Sequence, residues 1–181
     1  MFPEPMESKY IFHAKDSWNR ICQDRDKDIN HVDAFYIIRT LTANMKIESH
    51  YLQMNYYHEF FGHGGFVEHS QIGQRMQDYE NELDCIESGS KQIKRGTKQY
   101  DNYTVLLNEY DNYCCKTFNI FEGYAYWLEH YITKENGLSE MSDIKKRFLE
   151  PNILELIVRF DKFVKDENVD KLIDVLFNAR G

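Results

Sequence analysis

The chain has 181 residues, of which 42% are hydrophobic and 15% aromatic, enough for one domain with a sizeable core. Its formal net charge of -8 leaves no basic face for phosphates, which argues against nucleic acid and anionic membrane as partners. Glycine and proline are sparse, at 9 and 3. That is too few turn formers for a β-sandwich, and the composition points to helices.

Residues 1–9 carry two prolines and two glutamates and read as a loose tail, with residues 10–181 forming a single helical domain. The N-terminus has no basic region followed by an apolar run, so it is not a signal peptide. No apolar run of about 18 residues is present, so no membrane span is expected. A first helix is predicted from Ile11 to Cys22. The charge-rich "QDRDKD" after it is a connector.

Val32, Phe35, Ile38, Leu41, Met45, Leu52 and Tyr56 then recur at spacings of three, four and seven. This predicts one long central amphipathic helix from about Asn30 to His63. Gly62, Gly64 and Gly65 cluster at its end, as at many helix termini. Ile72, Met76, Tyr79, Leu83 and Ile86 predict a shorter helix from Ser70 to Glu87. The basic stretch from Lys91 to Lys98 reads as a solvated loop.

Tyr103, Leu106, Tyr110, Tyr113, Phe118, Phe121, Ala125, Leu128 and Ile132 predict a further helical stretch, broken near Asn119. "MSDIKKRFLE" suits a helix capped by Ser142 or Asp143. Pro151 fits the first turn of the next, running to Lys165. "NVDKLIDVLFNARG" gives a last helix stopped by Gly181. No segment reads as a strand, and the expected fold is all-α. The four cysteines, Cys22, Cys85, Cys114 and Cys115, form no C-x-x-C pair. Buried, reduced thiols in a cytoplasmic setting are expected.

The chemistry concentrates in "YYHEFFGHGG", Tyr56 to Gly65. In H-E-x-x-H, two histidines four apart share a helix face and hold one zinc, while the glutamate takes a proton from water. Here His58 and His63 are five apart. On a regular helix that leaves the rings roughly 140° apart. A wide π-turn absorbs the extra residue, and Gly62, lacking a Cβ, eases it. Glu122 in "FEGYAYW" is a candidate third ligand, with Gly123 and Ala125 allowing close helix approach.

"HEFFGHGG" resembles the H-E-L-L-G-H-G motif of the dipeptidyl-peptidase III family of zinc metallopeptidases. "FEGYAY" is similar in part to that family's E-E-x-x-A-[DE] motif, with Glu122 at the ligand and Ala125 at the alanine. Phe121 and Tyr126 stand where the family has acids. The resemblance spans His58 to Tyr126 and does not include the family's second lobe. It implies His58, His63 and Glu122 as zinc ligands, Glu59 as general base and a peptide or protein as substrate. Tyr124, Tyr126 and His130 are candidate oxyanion donors. His50 and His69 are read as surface residues.

Two other readings compete. A di-iron carboxylate bundle needs Glu-x-x-His pairs on two helices, and the chain has none. A non-catalytic helical interaction module, with or without a structural metal, also fits an acidic helical chain.

Overall fold

The computed structural model describes residues 2–28, 31–89 and 93–180. The predicted helix start at Asn30, Lys91 of the basic stretch and the stop at Gly181 lie outside the described residues.

The fold is mostly helical but not all-α: a three-stranded sheet is built from the N-terminal quarter. Strand β1, Lys9–His13, is followed by helix α1, Lys15–Asp24. Strand β2, Ala34–Ile37, turns through a 3₁₀ segment, Ile38–Thr40, into strand β3, Thr42–Lys46. The strand order is β1-β3-β2, with β1 parallel and β2 antiparallel to β3. The sheet takes residues 34–46 of the expected central helix and the first three residues, Ile11 to His13, of the expected first helix. β-Branched and aromatic side chains fill "KYIFH" and "AFYIIRT", and such residues fit a pleated, half-buried surface. Leu41, with φ of 47°, sits in the left-handed region and breaks any helical continuation.

Helix begins again at Leu52. Helix α2, Leu52–Tyr56, runs without a break into a π-helical segment, Tyr57–Gly64, and then into helix α3, Gly65–His69. The glycine cluster therefore does not end the helix. Ser70 does so, and its hydroxyl accepts from the Gly73 N–H to cap helix α4, Gln71–Ser88.

Helix α5, Lys98–Glu135, is unbroken. Asn119 is tolerated in its interior because it lies on the outer face, where its carbonyl accepts from Asn152. Helix α6, Ser139–Lys146, starts three residues before Ser142, which is buried inside it rather than capping it. Helix α7, Pro151–Asp166, opens on Pro151 as expected, and Asn168 caps helix α8, Val169–Phe177.

The main core joins α3, α4, α5, α7 and α8 through Phe66, Met76, Trp127, Leu128, Ile157 and Phe177, among others. A smaller core of Trp18, Cys22 and Phe35 seals α1 onto the sheet. The segment before β1, expected to be loose, is tied down. The backbone N–H groups of Met6, Glu7 and Ser8 all donate to the Glu68 carboxylate. Phe2 packs edge-on against Trp127 and Tyr131. Of the cysteines, none is in a disulfide, and only Cys22 is buried; Cys85 and Cys115 are exposed. Among the described residues, no helix is long and apolar enough to cross a membrane.

Candidate metal centre

The π-helical segment packs along α5, and this contact builds the site. A π-turn adds one residue per turn, so side chains five apart come to lie on one face. The rings of His58 and His63 accordingly meet edge to face, with centroids 4.6 Å apart. Gly62 faces Ala125 on α5. That close approach brings Glu122, one turn earlier on α5, against both imidazoles. His58 Nε2 is 3.6 Å from Glu122 Oε2, and His63 Nε2 is 3.6 Å from Glu122 Oε1.

One ligand atom from each of these three residues falls within a set no wider than 4.8 Å. Donors about 2.0–2.1 Å from one tetrahedral zinc stand roughly 3.3–3.4 Å apart. Each imidazole Nε2 stands a few tenths of an ångström further than that from a Glu122 oxygen, His58 from one oxygen and His63 from the other. The group could hold a metal ion. The donor chemistry, two imidazoles and one carboxylate, suits zinc with one coordination position left open. Both imidazoles are buried, and neither Nδ1 has a hydrogen-bond partner among the described residues.

The surroundings fix the ring orientations. His58 Nδ1 lies 3.3 Å from Glu129 Oε2, close enough for a charge interaction though not aligned as a hydrogen bond. Glu129 is buried and in turn accepts from Lys145 Nζ at 2.8 Å. Phe121 lies against the His63 ring at 4.1 Å and Tyr126 against the His58 ring at 4.2 Å. Phe121 and Tyr126 thus hold the imidazoles by ring packing. Glu129, which the sequence reading missed, places an acid beside His58. Its signal is positional: Glu122, Tyr126 and Glu129 follow at intervals of four and three, one face of a helix.

These contacts set the charge states without metal. Burial disfavours the His58 imidazolium, but Glu122 and Glu129 outweigh it and raise its pKa to about 9. Burial pushes the Glu122 carboxyl up, and His63 and His58 overcome this to leave it at about 2. Burial drives the His63 pKa down to about 3, so this ring is neutral and ready to ligate. Glu59 is buried beside the three. Burial raises its carboxyl to about 7, against the pull of His58.

The centre opens into two adjoining cavities. One of about 290 Å³ is lined by His58, Glu59, His63 and Glu122 together with Ala34, Phe35 and Tyr36 of β2. The other, about 570 Å³, is lined by His58, Glu59, Tyr126, Asn55 and Lys145 among others. Of the candidate oxyanion donors, Tyr126 lines both. Tyr124 instead points into the core against Phe66 and Phe177. His130 is turned to α6, where its Nδ1 pairs with the Ser142 hydroxyl and its Nε2 lies 2.6 Å from Lys146 Nζ. Neither lines either cavity.

Compared with family models, with curated proteins and with solved structures, the chain gives no match. What the centre can do is argued from its own side chains.

Proposed function

We propose that the protein is a zinc-dependent hydrolase that cleaves peptide bonds, with a distant or convergent likeness to the dipeptidyl-peptidase III type of metallopeptidase. One observation carries the reading: a π-helical turn brings His58 and His63, five residues apart, onto the same glutamate of a second helix, with Glu59 buried beside them. π-Turns are rare and concentrate at functional sites.

Zinc held by His58, His63 and Glu122 would supply a polarised carbonyl and an acidified water. The chain's own residues do the rest. Glu59 accepts the proton of the attacking water and returns it to the leaving nitrogen. A carboxyl held near 7 is suited to both steps, since a shuttle works best with its pKa close to the working pH. Glu129 keeps the outer nitrogen of His58 facing an acid, which fixes the ring and raises its basicity as a ligand. Tyr126 is the candidate donor to the oxyanion.

A peptide substrate is supported by β2. This strand has a neighbour on one side only among the described residues, and Ala34, Phe35 and Tyr36 line the cavity over the centre. A free strand edge pairs with an extended peptide through main-chain hydrogen bonds. Four thiols outside any disulfide fit a reducing, cytoplasmic compartment.

The test has two stages. The purified protein should carry, or take up, about one zinc per chain; less than about 0.2, unresponsive to added zinc, would sink the proposal. Glu59→Gln should then keep the zinc and lose several orders of magnitude in peptide hydrolysis, because the base goes and the ligands stay. Zinc bound tightly with no peptide cleaved by the parent would make the centre structural and favour the interaction module.

A further inference from the structure

We propose that Lys145 anchors a carboxylate of the substrate, so that the cavity beside the metal centre selects peptides or acylated amino acids carrying that anion next to the bond cleaved. The proposal rests on the hydrolase reading. Lys145 stands in the last turn of α6, facing the π-helical segment across the larger cavity. Its ammonium donates to Glu129 Oε2 at 2.8 Å and to Asn55 Oδ1 at 3.2 Å. The Tyr126 ring lies 5.8 Å away. An ammonium has three donors, and these two acceptors use two of them. The side chain retains 21% of its exposure, and that part faces the cavity.

Apart from His58, a proposed metal ligand, the remaining charged groups of the cavity wall leave Lys145 as its one lysine or arginine among the described residues. Asp33 already accepts from Ser49 at 2.8 Å and lies 3.5 Å from Lys46. His31 is on the open rim and pairs with Asp28 at 2.6 Å. Glu59 is the base. Lys145, by contrast, is held from two sides and is separated from the metal-facing nitrogen of His58 only by Glu129 and the imidazole itself. An anion bound to it therefore sits within a residue or so of the bond under attack. The anion is a carboxylate rather than a phosphate. One remaining N–H suits a single negative charge, whereas a doubly charged phosphate beside Glu59 and Glu129 would need a second lysine or arginine, and among the described residues this wall has none. Val32, Ala34 and Phe148 give the same cavity an apolar side for the substrate side chain.

The carboxylate could be a chain terminus or an acidic side chain, and the experiment separates them. N-acetylphenylalanine, its primary amide and the α-amide of N-acetylglutamate are titrated into the zinc-loaded and the metal-free protein by calorimetry. The acid is expected to bind roughly tenfold or more tighter than its amide in both states, the gain of one charge-assisted hydrogen bond. Lys145→Gln should bring acid and amide within about twofold, and Lys145→Arg should keep the preference. The glutamate derivative matching the acid would assign the site to acidic side chains, and binding like the amide would assign it to chain termini. Equal affinity of acid and amide for the parent protein overturns the anchor. So does a preference that survives Lys145→Gln, since the metal or another group would then hold the carboxylate. A protein that takes up no zinc removes the hydrolase reading instead, and the metal-free titration still decides the role of Lys145.

Discussion

Gly62 meets Ala125 so closely that a Cβ on residue 62 would lie 2.8 Å from both the Cα and the Cβ of Ala125. Contacts that short are not found between real carbon atoms, and here one partner is backbone, so the helices themselves would have to separate. The π-helical segment carries two of the proposed ligands and α5 carries the third. Gly62 thus controls the distance across the centre as well as the packing. Gly62→Ala should destabilise the fold by about 1–3 kcal/mol, the usual cost of overpacking, and weaken zinc binding at the same time. Urea unfolding with and without zinc measures both. An alanine variant as stable as the parent would show that the helices are not held at this spacing.

Glu129→Gln isolates the outer contact of His58. It keeps the shape, removes the negative charge 3.3 Å from Nδ1 and takes away the ionic partner of Lys145. Partners of ligating histidines typically contribute 10–100-fold to metal affinity. A chelator competition should show a loss of that size. A change under about threefold would mean that Tyr126 and Phe121 hold the imidazoles without help.

The meeting of His58, His63 and Glu122 was more legible than the fold around it. His58, Glu59, His63 and Glu122 could be picked out because their residue types and spacing obey a rule of metal geometry. The same rule required a distorted turn, and the π-helical segment Tyr57–Gly64 supplies it. The sheet was missed for a definite reason. Val32, Phe35, Ile38, Leu41 and Met45 match a helical period, but the alternative signal lay in composition. Phe35, Tyr36, Ile37, Ile38 and Thr42 are all strand formers, and the buried β3 shows no alternation because both of its faces are covered. Ser142 was misread because a buried serine bonded to His130 looks the same in sequence as a cap. Lys145 was invisible for another reason: its place depends on how α6 folds back over α5, which no local pattern encodes.

The charge state of His58 gives a test by proton counting. Without metal its pKa is raised to about 9 by Glu122 and Glu129 against the cost of burial. Below that pH the ring is charged, and a charged imidazole cannot ligate. Zinc must therefore displace a proton, while His63, held near 3, and Glu122, held near 2, have none to give. At pH 7.5, binding should release about one proton per zinc, and affinity should climb with pH until about 9. Calorimetry in two buffers of different ionisation enthalpy gives the number directly. Release of no protons at pH 7.5 would mean that His58 is already neutral or is not a ligand.

Glu68 offers a test away from the centre. Its carboxylate receives the backbone N–H groups of Met6 at 2.6 Å, Glu7 at 2.9 Å and Ser8 at 2.7 Å. These bonds strap the N-terminal segment over Gly64 and Gly65, where Ser8 and Pro3 lie in contact range. Ser8 also reaches the Tyr36 hydroxyl at 2.7 Å, beside His63. Burial alone would raise the Glu68 pKa, but the hydrogen bonds from Ser8, Glu7 and Met6 outweigh it and hold the carboxyl below its ordinary range. A folded-state pKa below the unfolded one means stability that is present above the unfolded value and lost as pH falls through the folded one. Glu68→Gln should therefore cost about 1 kcal/mol near pH 7, the low end for charge-assisted bonds because the site is partly in water. The difference from the parent should shrink as the pH drops below about 4.5, where the unfolded parent takes up its proton, and vanish below the lower folded-state value. Amide exchange at residues 6–8 reads the strap locally and urea unfolding reads it globally. Equal protection of those amides in parent and variant at pH 7 would show that the segment is held by Phe2 and its aromatic partners rather than by Glu68.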